Sequence, residues 1–221
     1  MGTEPAPSAQ ATYGVTVHQD LLVEARDGTQ LATDTYRPSD PDTGEPIDAV
    51  RPALLARTPY DKHSRSRADR ARWFAQRGYV VVVQDVRGRY GSEGTFFPFV
   101  NEPEDGYDTV EWVADRPYCD GQVATTGTSY GAWVQSALAT LDPPSLAAMF
   151  VNQGAANGWE ATLRHNGAFE MRWLTWALTL GSSHRSWFLT RFLEKNDRDQ
   201  RNGFSESNKD GGLTSVRAPS P

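Results

Sequence analysis

The chain holds a single cysteine, Cys119, in 221 residues. An intrachain disulfide is therefore excluded, and a cysteine-based metal site is not suggested. A lone thiol fits a reducing compartment, so the expected location is the cytoplasm. Long apolar runs are missing as well. No stretch approaches the roughly 20 residues a membrane span needs, and the Pro/Ala/Ser-rich start, residues 1–11, lacks the apolar centre of a secretory signal. Positive charge is scarce: 22 Lys and Arg face 28 Asp and Glu, a formal net charge of -6. That balance argues against nucleic acid or an anionic membrane as the partner. No internal repeat is visible, and no cofactor or metal is expected.

What is present is a globular composition, 38% hydrophobic and 11% aromatic with seven tryptophans. The length suits one sizeable α/β domain or part of a larger one. Residues 21–25 and 31–36 read as two strands around Arg26-Asp27-Gly28-Thr29, where Asp-Gly signals a hairpin. Residues 38–52 read as a loop and 53–56 as a short apolar strand. A helix is predicted over 67–77, with Ala71, Phe74 and Ala75 on one face and Gly78 as its stop. The β-branched run 79–83 predicts a strand buried on both faces, as in a parallel sheet. A second helix opens at Pro103 and halts at Pro117, with Tyr107, Val110 and Val113 on one side; residues 146–152 form a last apolar strand. This alternation after an opening hairpin is an α/β pattern with a mostly parallel sheet. Beyond Gly154 an aromatic-rich stretch reads as helices, with no convincing strand.

The richest local signal is Gly127-Thr128-Ser129-Tyr130-Gly131, a G-x-S-x-G pentapeptide between the strand-like 122–126 and a helix-forming run at 132–141. A nucleophile elbow needs that setting: a serine on a strained strand-to-helix turn, with glycines that let the backbone bend tightly. The following helix points its N–H groups at the reacting centre and favours an oxyanion. Ser129 is thus the candidate nucleophile of acyl transfer, and it needs a neighbouring base. The bland alternative is a plain turn serine. Gly88, Gly91 and Gly94 do not form G-x-G-x-x-G, so no dinucleotide site is expected. Asp85, Arg87 and Glu93 read as structural, with an Asp85–Arg87 pair bracing a tight loop that ends at Gly88.

Several segments together resemble a known family. Arg57-Thr58-Pro59-Tyr60-Asp61-Lys62 looks like the N-P-Y-D-K segment of the cocaine esterase / Xaa-Pro dipeptidyl-peptidase (CocE/NonD, S15-like) serine hydrolases. Gln84-Asp85-Val86-Arg87-Gly88, followed by Gly91-Ser92-Glu93-Gly94, is similar to its Q-D-x-R-G…S-E-G segment. Trp112, Cys119-Asp120-Gly121 and the 127–131 pentapeptide complete the order. The resemblance implies an α/β-hydrolase fold and hydrolysis of a small-molecule ester or an X-Pro-like peptide through an acyl-serine. It also implies that the Tyr60 hydroxyl and the Tyr130 backbone N–H form the oxyanion hole. Pro59, by removing φ freedom just before Tyr60, suits that role.

On this reading residues 1–13 are a disordered tail, 14–153 the N-terminal part of a hydrolase domain, 154–195 the start of a helical cap, and 196–221 a polar, disordered tail. Trp159, Phe169 and Trp173 are candidates for an acyl pocket, or simply core. The α/β-hydrolase order is Ser, then Asp or Glu, then His. After Ser129 come only His165 and His184, inside the cap stretch, and Asp197, Asp199 and Asp210 in the tail. The expectation is a truncated hydrolase whose triad Asp and His are supplied by a partner chain or a missing C-terminal part. The alternative is an inactive remnant or a binding module using the half-formed cleft. Acyl transfer to an alcohol or amine is a third reading, inseparable by sequence from hydrolysis.

Overall fold

A computed structural model describes residues 7, 10–154, 157, 163–165 and 167–181. The chain divides into two compact units, Met1–Ala161 and Thr162–Pro221.

The first unit is a six-stranded sheet in the order β1-β2-β4-β3-β5-β6. Strands β1 (Gly14–Glu24) and β2 (Gln30–Ser39) form the antiparallel hairpin that Asp27-Gly28 predicts, with Gly28 at φ 86. β1 runs longer than its apolar residues suggest, because Asp20, at φ 55, breaks the register between His18 and Leu21 and hides the alternation. β2 pairs antiparallel with β4 (Val80–Asp85); β3 (Arg51–Thr58), β5 (Cys119–Thr128) and β6 (Leu146–Asn152) then continue the sheet in parallel.

All six residues of β4 are buried, as its unbroken Val run predicts. Val80 and Val82 join Leu55, Val123 and Leu138 in a core on one face of the sheet, where α2 (Glu102–Ala114) contributes Val110 and Val113 and α3 (Tyr130–Ala139) contributes Leu138. Val81 and Val83 face the other way, onto Tyr36 and onto Ala71 and Ala75 of α1 (Arg65–Ala75). Gly78, at φ 94, ends α1 as expected, its N–H donating to the Ala75 carbonyl at 3.0 Å.

The expected disordered tail over 1–13 is corrected at its described end. The N–H groups of Thr12 and Tyr13 donate to the Gln76 carbonyl at 2.8 and 3.1 Å, and Arg51 Nη2 donates to the Tyr13 hydroxyl at 3.0 Å. In the second unit, two-residue strands β7 (Arg164–His165) and β8 (Ala168–Phe169) pair across Gly167, at φ 84. A strand was not expected there; two residues are too few to show a periodicity. Helix α4 (Arg172–Gly181) follows, with the Trp173 and Trp176 rings edge to face at 5.3 Å. No described helix is long and apolar enough to cross a membrane.

Candidate active site

β5 ends at Thr128 and α3 begins at Tyr130, so Ser129 stands alone at the joint, at φ 58 and ψ -118. That is a region glycine prefers and other residues occupy only when their surroundings force them. The forcing contacts are visible. The Ser129 N–H donates to the Asn152 carbonyl at the end of β6 (3.1 Å), and its carbonyl accepts from Ala132 and Trp133 at 2.9 and 3.1 Å. The Ser129 side chain is exposed. The turn is so tight that a Cβ on Gly127 would lie 2.5 Å from the Gly131 carbonyl oxygen. The first glycine of the pentapeptide is thereby explained as a steric requirement of the elbow.

Tyr130 puts its backbone N–H at the start of α3 and buries its ring. Its hydroxyl donates to Glu102 Oε1 at 2.7 Å and accepts the Phe99 N–H at 3.1 Å, while the Phe99 ring stacks on it at 4.6 Å. Burial, with the Glu102 carboxylate beside it, pushes the phenol far above its usual range, so it stays a donor. The other oxygen of Glu102 accepts from Arg57 Nη1 at 2.7 Å, and Arg57 Nε donates to Gln84 Oε1 at 2.8 Å. The Arg57 and Glu102 side chains are only 1% and 5% exposed. This buried pair joins the end of β3, the start of α2 and the start of α3.

Tyr60 lies three residues beyond Arg57, on the loop after β3. Its ring meets the Tyr130 ring edge to face at 6.4 Å. Its N–H donates to Thr58 Oγ1 at 3.0 Å, and its carbonyl accepts from Arg67 Nη1 at 3.1 Å. Neighbours pin the loop: Arg89 Nε donates to the Pro59 carbonyl at 3.1 Å, and the Lys62 N–H donates to Asp85 Oδ1 at 2.8 Å. Ser129, Tyr130 and Tyr60, the three residues the sequence points to, thus come together at the C-terminal ends of β3 and β5.

The expected Asp85–Arg87 pair does not form. Asp85 faces Lys62, and burial raises its carboxyl to about 6. After Asp85 the chain turns, with the Val86 N–H donating to the Thr58 carbonyl at 3.0 Å. Arg87 is thereby sent to Asp27 and Asp105, each at 2.6 Å. Sequence reasoning also missed Glu102 and the role of Arg57. The available signal was an arginine at the end of an otherwise apolar, two-sided strand, which demands a buried partner.

Asp20, Asp34 and His63 bring three potential metal ligands within 4.8 Å of one another. The Lys62 ammonium already fills that position, 2.5 Å from Asp20 Oδ1, 3.4 Å from Asp34 Oδ1 and 3.0 Å from His63 Nε2. Its charge makes a second cation there unfavourable. Among the described residues no hydrogen bond joins the Ser129 hydroxyl to a histidine. His165 lies in β7 of the second unit, whereas His184, Asp197, Asp199 and Asp210 lie outside the described residues. Of the acyl-pocket candidates, Phe169 is exposed, Trp173 packs on Trp176, and Trp159 lies outside the described residues.

Comparison with known proteins identifies the family and the fold. The model of the X-Pro dipeptidyl-peptidase (S15) family matches residues 27–211. The chain belongs to this family. Cocaine esterase of Rhodococcus sp. (strain MB1 Bresler) is 40% identical over 118 residues, covering 52% of this chain and 19% of that protein. A CocE/NonD family hydrolase from Staphylococcus aureus superposes with a TM-score of 0.66 at 25% identity, over 74% of this chain and 32% of its own. An aminopeptidase from a marine sediment Thaumarchaeota archaeon gives 0.60 at 26% identity, over 81% and 32%. The α/β-hydrolase fold expected of the S15 family is therefore the fold found. The chain spans about a fifth of the length of the curated relatives it matches, 19% of one and 22% of another.

Proposed function

We propose that this chain carries the nucleophile and oxyanion half of a serine hydrolase that cleaves an ester or an X-Pro-like amide through an acyl-Ser129 intermediate. The strained backbone of Ser129 carries the reading, because it presents an exposed serine at a strand-to-helix joint, where a nucleophile elbow holds its serine. The Ser129 oxygen attacks the carbonyl carbon and its proton passes to a base outside the described residues. The carbonyl oxygen becomes an oxyanion held by the Tyr130 N–H and the Tyr60 hydroxyl. Collapse expels the alcohol or amine, which takes a proton, and water then releases the acid. On this reading the reaction belongs to the cytoplasm.

Tyr60→Phe and Ser129→Ala test the assignment on an activated p-nitrophenyl ester. Loss of the Tyr60 hydroxyl lowers the rate about 10²–10³-fold, the usual effect of removing one oxyanion donor, and Ser129→Ala leaves only the background. A folded chain that releases no p-nitrophenol favours the second reading, an inactive remnant. The lack of a Ser129–histidine bond among the described residues favours it too.

A further inference from the structure

On the α1 side of the sheet a cavity of about 310 Å³ begins at the elbow, with Gly127, Thr128 and Gly131 along one wall and Tyr60 along another. Its depth is apolar, formed by Leu54, Val81, Val83 and Phe74. Its rim is cationic. Arg67 and Arg70, one turn apart and so on one face of α1, both line it, and no Asp or Glu does. Arg67 Nη1 is held by the Tyr60 carbonyl (3.1 Å) and Ser64 Oγ (2.7 Å), neither of them a charge. Burial lowers its pKa, offset only in part by the Tyr60, Tyr90, Asp61 and Asp85 groups nearby. Arg70 forms no ion pair among the described residues, and the adjacent acid, Asp69, is taken by Arg65 at 3.6 Å. The first turn of α1 contains no acid at all. An apolar floor under two guanidiniums that form no ion pair among the described residues suits one chemical class, because a guanidinium fork matches a carboxylate.

We propose that this cavity binds an apolar group bearing a carboxylate, with Arg67 and Arg70 on the carboxylate, and that the ester or amide presented to Ser129 carries such a group. Only the second half rests on Ser129 being the nucleophile. The volume lies at the small end of ligand pockets and admits a group about the size of a phenylalkanoate. The same rim disfavours a substrate with a free ammonium there, so a peptide with an unblocked N-terminus is excluded from this subsite by like-charge repulsion.

The test is binding of 4-phenylbutyrate to the purified 221-residue chain, followed by titration calorimetry, with 4-phenylbutanamide as the neutral control. The carboxylate is expected to bind about tenfold more tightly than the amide, the worth of one charge-assisted hydrogen bond. Arg70→Ala removes that advantage, with folding checked by circular dichroism, and Arg70→Lys restores part of the preference. Equal binding of the two compounds, no binding to the folded chain, or an unaltered preference in Arg70→Ala overturns the site. Ser129→Ala leaves binding intact. Selective carboxylate binding by a chain that never acylates at Ser129 keeps the site and removes the hydrolase reading; acylation that ignores the carboxylate does the reverse.

Discussion

Ser129 stores energy in its backbone. A non-glycine residue at φ 58 and ψ -118 costs on the order of 1–3 kcal/mol. Ser129→Gly removes the steric part of that cost and returns some to the unfolded chain as entropy. The net expectation is about 1 kcal/mol of added stability in a urea titration, with any acylation lost; Ser129→Ala keeps the strain and shows no such gain. A destabilised Ser129→Gly would mean that the serine side chain, not the turn, holds the joint. Asp85 is a second residue with a testable signature. Burial raises its carboxyl from the ordinary value near 3.8 to about 6. The folded protein then holds this proton more tightly than the unfolded chain does. The contribution is favourable below about pH 4 and is lost as pH rises through about 6. Lys62, Asp20, Asp34, Asp61 and His63 share the neighbourhood, so the effect is read as a difference against Asp85→Asn. Relative to that variant the native chain should lose stability, by about 3 kcal/mol at most, between pH 4 and 6. A flat difference would deny the shift.

At the scale of elements, the site depends on three strand and helix ends that converge and are locked by one buried pair. Arg57 closes β3, Glu102 opens α2 and Tyr130 opens α3, and Glu102 bonds both of the others at 2.7 Å. Glu102→Gln keeps an acceptor for the tyrosine but strips the charge that faces a guanidinium 1% exposed. Breaking a buried pair from one side costs about 3–5 kcal/mol, so the denaturation midpoint should drop sharply. A loss under 1 kcal/mol would show that Asp105, 3.8 Å from Arg57, carries the charge instead.

The elements themselves were legible in the sequence wherever one local rule dominated. The Val run of β4, the Asp-Gly turn and the helix stop at Gly78 all speak through neighbours in the chain. So does the elbow, because its strand, turn and helix are contiguous. The Arg57–Glu102 pair was not legible, since its members are 45 residues apart and each is an ordinary charged residue alone. The Asp85–Arg87 expectation failed for the same reason: proximity in sequence suggested a partner, and the turn after Val86 supplied others. Tyr60 was found only through resemblance to a family, because a tyrosine in a loop carries no signal of its own.

For the molecule as a whole, the helices cover the two faces of the sheet unequally. α2 and α3 shield one face around Val110, Val113 and Leu138. On the other, α1 leaves much of β6 open: Met149 and Phe150 are 45% and 68% exposed. The cavity beside the elbow lies on that less covered face, lined there by Leu54, Val81, Val83 and Phe74. The chain covers 19% of cocaine esterase, so the proposed chemistry rests on whether Ser129 itself reacts.

The most direct measurement is therefore reaction of the purified chain with a fluorophosphonate, the adduct located by peptide mass spectrometry and folding checked by circular dichroism. The account predicts a single adduct on Ser129, slowed in Tyr60→Phe and missing in Ser129→Ala. An adduct on another residue, or none on the folded chain, would contradict it.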